Sequence, residues 1–257
     1  MNKLVFFRND DVRGNLDEAF ISITHLLAKT SVPISHTIEP ANITNEVIDW
    51  IKDFQAKHPD MLELVQHGYA HRLNYQKVIN GKLRKGEFGG DRTYEEQFAE
   101  IYHGKELMDQ YFGSNWFPLF TFPYGARNDA ALKAVSDAGF VAVNGSMGVS
   151  VQHQVLYFFG RLFNQEMLWN KKISYHLRHR KGLGLFQIDT SFSLIKKYKD
   201  EGTEADFYSL EQLKMKATEY LRKAPTVGIV LHHRYHNTPE KLKLLEDFVV
   251  WLKSQKG

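Results

Sequence analysis

Leu62-Glu-Leu-Val-Gln66 is a short apolar run with strand character, and it leads directly into His67-Gly-Tyr-Ala-His71. A strand whose C-terminal end carries polar side chains is how parallel α/β folds assemble their sites. The N-terminal run does the same, Leu4-Val-Phe-Phe7 passing into Arg8-Asn9-Asp10-Asp11. Six further runs read as strands: Pro33 to Ile38, Leu119 to Phe122, Val141 to Asn144, Val155 to Phe159, Leu185 to Asp189 and Val227 to Leu231. Amphipathic stretches separate most of them, the pattern of parallel strands joined by crossover helices. The chain therefore reads as one α/β domain over residues 1–257, a TIM-like (β/α) barrel, distorted or incomplete, with seven or eight parallel strands. An open doubly wound sheet is the second reading.

Helix ends support the alternation. Thr93-Tyr-Glu-Glu96 and Ser209-Leu-Glu-Gln212 fit the capping box, and Thr238-Pro239 puts proline at a first helical position. Leu242, Leu245, Phe248, Val249 and Leu252 share one face of the last helix, the spacing of core packing. Two segments stand outside the pattern. Residues 72 to 91 form a polar, glycine-punctuated connection after the histidine pair, read as a lid or a disordered excursion. Residues 171 to 181 form the dense basic cluster, read first as a solvated face and second as a contact for an anionic glycan or phosphate.

With 257 residues, 43% of them hydrophobic, the chain can bury a full core. A net charge of +3 gives little reason to invoke nucleic acid. The absence of cysteine excludes disulfides and thiolate zinc sites, so a metal must rest on His and carboxylate ligands. The N-terminal run is too short for a signal peptide's apolar region, and no stretch predicts a membrane span, so the expected compartment is the cytoplasm. Oligomeric state has no signature in the sequence.

Two carboxylates after a strand can be turn chemistry or a helix cap, and an i, i+4 histidine pair arises by chance in a chain with twelve histidines. Together they say more. If the His67–His71 segment turns helical, both imidazoles face one ion, and two His with one carboxylate form the three-ligand set of a catalytic site with a position open for water. Thr121-Phe-Pro-Tyr-Gly125 is a tight turn at the same end, able to present backbone N–H groups. Val227 to Leu231 delivers His232, His233 and His236, a histidine there suiting general-acid catalysis.

In this order the motifs resemble the polysaccharide deacetylases, the NodB-like carbohydrate esterases, over Asp10 to His232. The resemblance implies that Asp11, His67 and His71 bind a divalent metal, with zinc the first expectation. It implies Asp10 as base, His232 as acid, the Tyr124 N–H as oxyanion donor and Asp189 as the partner that orients His232. The substrate implied is an N-acetylated sugar or glycan, and the reaction is removal of the N-acetyl group. A non-catalytic glycan-binding protein, or another metal-dependent amide or ester hydrolase, is the alternative. The chain departs from the pattern at Thr121, where the family places an arginine that pairs with the base; Arg8, Arg127 and Arg161 are the candidate substitutes. Val12 stands for a glycine, His233 for an aspartate, and Glu87 is a candidate to reach the site.

Overall fold

The computed structural model describes residues 3–79, 82–146, 151–163, 178–180, 182–200 and 203–255. In chain order the elements are β1 (Leu4–Gly14), α1 (Glu18–Lys29), β2 (Ile34–Ile43), α2 (Asn45–Lys57), β3 (Leu62–His67), β4 (Tyr75–Ile79), β5 (Lys82–Gly86), α3 (Tyr94–Phe112), β6 (Leu119–Thr121) and α4 (Asp129–Asp137). There follow β7 (Ala142–Ser146), α5 (Val151–Leu162), β8 (Arg178–Arg180), β9 (Leu185–Thr190), β10 (Phe192–Ser193), β11 (Ile195–Tyr198), β12 (Ala205–Phe207), α6 (Leu210–Lys223), β13 (Thr226–His232) and α7 (Pro239–Ser254). Both expected capping boxes form, at Thr93 with Glu96 and at Ser209 with Gln212.

The main sheet runs β10-β13-β1-β2-β3-β6-β7-β9-β8, parallel throughout except for β8 against β9. Its two ends nearly meet, because β9 pairs with β7 and β10, one residue later, pairs with β13. Ser191 between them makes the joint: its N–H donates to Gly228 O at 2.7 Å and its Oγ accepts from Gly228 N–H at 3.2 Å. Eight parallel strands thus curl into an almost closed (β/α) barrel, in which the run 185–193 serves two neighbours in turn.

Strand alternation decides which side chains see the interior. Phe7, Leu64, Ile229 and Leu231 lie in the core between sheet and helices, and Phe120 lies in a second such core. Residues of opposite parity, Arg8, Asp10, His67, Thr121 and His232, therefore point inward, above a small interior cluster of Val65, Leu119 and Ala142 packed by Ile188.

Three expectations are corrected. Val155 to Phe159 is not a strand but part of helix α5; its unbroken Val-Leu-Tyr-Phe-Phe run has no period to separate buried strand from helix, and the flanking residues bring it to helical length. The 72–91 connection is neither structureless nor disordered through its described part: β4 and β5 pair as an antiparallel hairpin, Val78 opposite Leu83. Strand β1 does not stop before the Asp pair but carries it, to Gly14, with a register shift between Asn9 and Val12. Of the basic cluster, residues 171–177 and 181 lie outside the described residues.

Candidate metal centre and active site

Asp11 leaves the β1 ladder with φ of +63°, a left-handed conformation that non-glycine residues pay for. The twist at this bulge turns its carboxylate toward β3, where Oδ1 lies 3.0 Å from His67 Nε2 and 3.3 Å from His71 Nε2. The ligand atoms of Asp11, His67 and His71 all fall within 4.8 Å of one another.

The histidine pair does not converge through a helix. Gly68 (φ +59°) and His71 (φ +52°) reverse the chain instead. A Cβ on Gly68 would lie 2.1 Å from Glu87 Oε2 and 2.5 Å from Pro123 Cγ, so glycine is required there for space as well as for φ. The turn is clamped from several sides. Glu87 accepts from Ala70 N–H at 2.7 Å and Tyr69 N–H at 3.3 Å, and Gly68 N–H donates to Thr121 O. Asn42 Nδ2 donates to Ala70 O and to Glu39 Oε2. Glu87 thus meets the site through the backbone of the turn, and burial raises its pKa in spite of those N–H groups.

Thr121 has a specific task. Its hydroxyl is 3.0 Å from Gln66 O, an acceptor only, so the hydroxyl donates there and accepts from His67 Nδ1–H at 2.6 Å. With Nδ1–H held by Thr121, Nε2 is the atom left for Asp11: it donates to the carboxylate when the ring is protonated and would offer its lone pair to a cation once that proton is gone, the second-layer arrangement that orients metal-bound histidines. Burial works to raise the pKa of Asp11, but hydrogen bonds from His67 and His71 and the charge of His67 outweigh it and hold the carboxyl well below the usual range. Burial works in turn to lower the pKa of His67, and Asp11, Asp10 and Glu39 overcome it. Donor chemistry, spacing and the fixed tautomer fit a divalent cation.

Asp10 is buried beside this set. Arg8 Nη2 donates to its Oδ2 at 2.6 Å, and Thr37 Oγ1 donates to its Oδ1 at 3.3 Å. Of the candidate cations, Arg8 is the one that meets Asp10; Arg127 donates to Asn144 O instead, and the side chain of Arg161 lies outside the description. Asp10 and His232 are register partners across β1 and β13. Burial lowers the pKa of His232 although Asp11 and Asp10 pull it up, so the imidazole rests neutral near pH 7. Its Nδ1 lies 3.1 Å from the Tyr198 hydroxyl of β11, a neighbour that no sequence signal announced. Asp189 is placed elsewhere. It shares the parity of Leu185, which packs in the helix-facing core, and its Oδ1 accepts from Gln187 Nε2 at 2.7 Å.

Tyr124 sits at φ +59° in a 3-10 turn, Pro123–Gly125, with its ring 4.5 Å from the His71 ring and its hydroxyl donating to His71 O at 3.2 Å. Three of the four described non-glycine residues with positive φ are therefore Asp11, His71 and Tyr124, strain gathered where geometry must be exact.

Behind the site, on the outer face, Asn9 links two histidines. Its Nδ2 lies 3.1 Å from His36 Nδ1 and from His233 Nδ1, and its Oδ1 accepts from His233 N–H at 2.8 Å. His36 Nε2 meets Thr24 Oγ1, and His233 Nε2 meets the Asp17 carboxylate that caps α1. This buried network locks the tips of β1 and β13 in register.

No family model and no curated protein matches the sequence. Solved structures do match the fold. A Mycobacterium smegmatis protein assigned to the polysaccharide deacetylases aligns over 100% of this chain and 86% of its own, at 13% identity and a TM-score of 0.63. A family 4 acetyl xylan esterase from Clostridium thermocellum, in complex with a cobalt ion, aligns over 98% and 85% at 12% identity and 0.55. A family 4 pseudoenzyme from Bacillus anthracis aligns over 99% and 62% at 13% and 0.52. The chain has the fold of the polysaccharide deacetylases and family 4 carbohydrate esterases.

Proposed function

We propose that a chain with this fold and this mouth is a divergent member of the polysaccharide deacetylases, a metal-dependent hydrolase that removes the N-acetyl group from an N-acetylated sugar or glycan. The observation that carries the reading is the convergence of three ligand atoms on one point beside a buried carboxylate held by its own arginine. Asp11, His67 and His71 would hold a divalent cation, zinc first, whose Lewis acidity lowers the pKa of water and draws charge from a carbonyl oxygen. Asp10, fixed by Arg8 and Thr37, takes the proton of the attacking water. His232 protonates the departing amine; it rests neutral and must gain that proton, and its register partner Asp10 is where a proton has just been collected. The Tyr124 N–H, presented by its strained turn, faces the developing oxyanion.

Tyr198, in this reading, orients His232 through Nδ1, while Asp189 supports the joint of β9 with β7 from the outer face. Thr121 in place of an arginine is the feature that would favour a non-catalytic glycan binder. The Arg8–Asp10 pair favours the catalytic reading, because the base has its cation from another position.

Elemental analysis of the purified protein beside its His67→Ala variant, with an acetate-release assay over N-acetylated sugars, tests the proposal. Stoichiometric metal in the wild type alone, and Asp10→Asn retaining metal while losing turnover, is the expected result. A protein without metal that gains no activity from Zn²⁺ or Co²⁺ overturns it.

A further inference from the structure

The ladder between β1 and β13 ends on the pair that the hydrolytic reading uses as base and acid: Asp10 opposite His232 is its last register pair. One residue later β1 bulges, with Asp11 at φ +63°, and β13 gives way to the 3-10 turn His233–Tyr235. The last pair of a ladder frays most readily, because backbone bonds support it from one side only. Here a side chain stands where the next rung would be. Asn9 Oδ1 accepts from the His233 N–H at 2.8 Å.

Asn9, His36 and His233 are all buried, so their hydrogens must find acceptors inside the protein. A backbone N–H only donates, so the atom that it meets is the Asn9 oxygen, and Nδ2 with its two hydrogens is the atom 3.1 Å from both Nδ1 atoms. Both imidazoles therefore accept at Nδ1 and carry their hydrogen on Nε2. His36 Nε2–H reaches Thr24 Oγ1 at 2.9 Å, whose own hydrogen goes to Phe20 O at 2.8 Å. His233 Nε2–H reaches Asp17 Oδ2 at 3.2 Å. His233 Nδ1 also lies 3.3 Å from Asn9 Oδ1, but a hydrogen placed there on a neutral ring would leave a bare Nε2 facing the Asp17 carboxylate. One direction of donation thus satisfies every polar side-chain atom of the three residues. The rings are also held by packing, with Phe20 4.7 Å from His36 and 5.5 Å from His233, and Asp17 Oδ1 accepts from Phe20 N–H at the start of α1. His233 is therefore tied to β1, to β2 through Asn9 and His36, and to α1, and it is the residue next to His232.

We propose that Asn9 is a positioning residue that fixes the separation of Asp10 and His232, acting from the opposite face of the sheet through His233. The roles of Asp10 and His232 rest on the hydrolytic reading; their spacing does not. Two groups that must both reach one reacting centre are sensitive to displacement, about 1 Å of misplacement costing up to about 100-fold in rate.

Side-chain ¹⁵N–¹H correlation spectra of the full chain loaded with Zn²⁺, compared with those of Asn9→Leu, test the proposal together with acetate release over N-acetylated sugars. In the wild type His36 and His233 are expected as neutral rings with the hydrogen on Nε2. Asn9→Leu is expected to bind Zn²⁺ with the His67 and His71 signals in place, to shift or broaden the His232 signals, and to lower kcat about 10- to 100-fold with KM within about twofold. Should Asn9→Leu fail to fold, the wild-type spectrum decides: an Nδ1–H on either ring overturns the proposal. So does a variant whose His232 signals and kcat match the wild type, and so does one that loses metal and turnover together, which would make the network a support of the fold alone. A wild type without acetate release counts against the hydrolytic reading, and the response of His232 to Asn9→Leu then judges the positioning by itself.

Discussion

Arg8 Nη2 and Asp10 Oδ2 stand 2.6 Å apart on the inward face of one strand, two residues from each other. The side chains are 10% and 8% exposed, so the charges are compensated by each other with little help from water. Removing one member of a buried pair leaves the other charge unsolvated. Arg8→Met is therefore expected to cost about 3 kcal/mol of stability, and Asp10→Asn in the same chain to recover a large part of it. Denaturant unfolding of the two single variants and the double variant reads the coupling, and additive losses would show that the pair is not a unit.

Thr121→Val removes the acceptor for His67 Nδ1–H with little change of volume. Metal affinity is expected to fall about 10- to 100-fold, with Thr121→Ser close to wild type. A chelator competition titration measures it; equal affinity in the valine variant would mean that the hydroxyl does not set the tautomer.

Gly68→Ala meets two obstacles, the left-handed φ and the contacts with Glu87 and Pro123. The expected cost is about 3 kcal/mol or more, and any folded fraction should bind metal poorly because the turn carries both histidines. Thermal unfolding with and without added Zn²⁺ separates the two effects.

His236 is fully buried against the Phe207 ring, and burial pushes its pKa down to about 3. A histidine whose folded pKa is depressed favours the fold above its unfolded value of 6.5 and loses that contribution as pH falls from 6.5 towards 3. The loss should reach about 2 kcal/mol at pH ~5. His36, also depressed by burial, adds to the same slope. His236→Leu is expected to flatten the dependence of the unfolding free energy on pH in that window; a variant as acid-sensitive as the wild type would contradict this.

The cluster of Asp11, His67 and His71 was legible because each member follows an apolar run of strand length, and strand ends are where a parallel barrel opens. Arg8 as partner of Asp10 was less so: i, i+2 neighbours share a face only if the strand continues through them, and the apolar run that marks β1 stops at Phe7 although the strand itself continues to Gly14. The Asn9, His36 and His233 network was invisible, since its members are 27 and 224 positions apart and each alone is an ordinary buried polar residue. Tyr198 had no signal because it sits on a four-residue strand of mostly exposed residues. Helix α5 was misread because its Val155–Phe159 apolar run has no period that separates strand from helix, so only length and flanks decide its form.

The ring of strands has one seam. Between β9 and β10 the chain changes neighbours at Ser191, and Gly228 receives it there through two hydrogen bonds. A closed ring with one thin joint behaves like a clasp, in which the first breathing motion is a parting at the clasp while the ladder from β13 through β1 to β7 keeps its bonds. Amide protons of Ser191 and Gly228 should then exchange ahead of those in the middle of β1 and β2. The flank bearing Asp11, His67 and His71 would stay rigid, and His232 with it, because the Asn9 network ties the tip of β13 to β1 although that strand borders the seam.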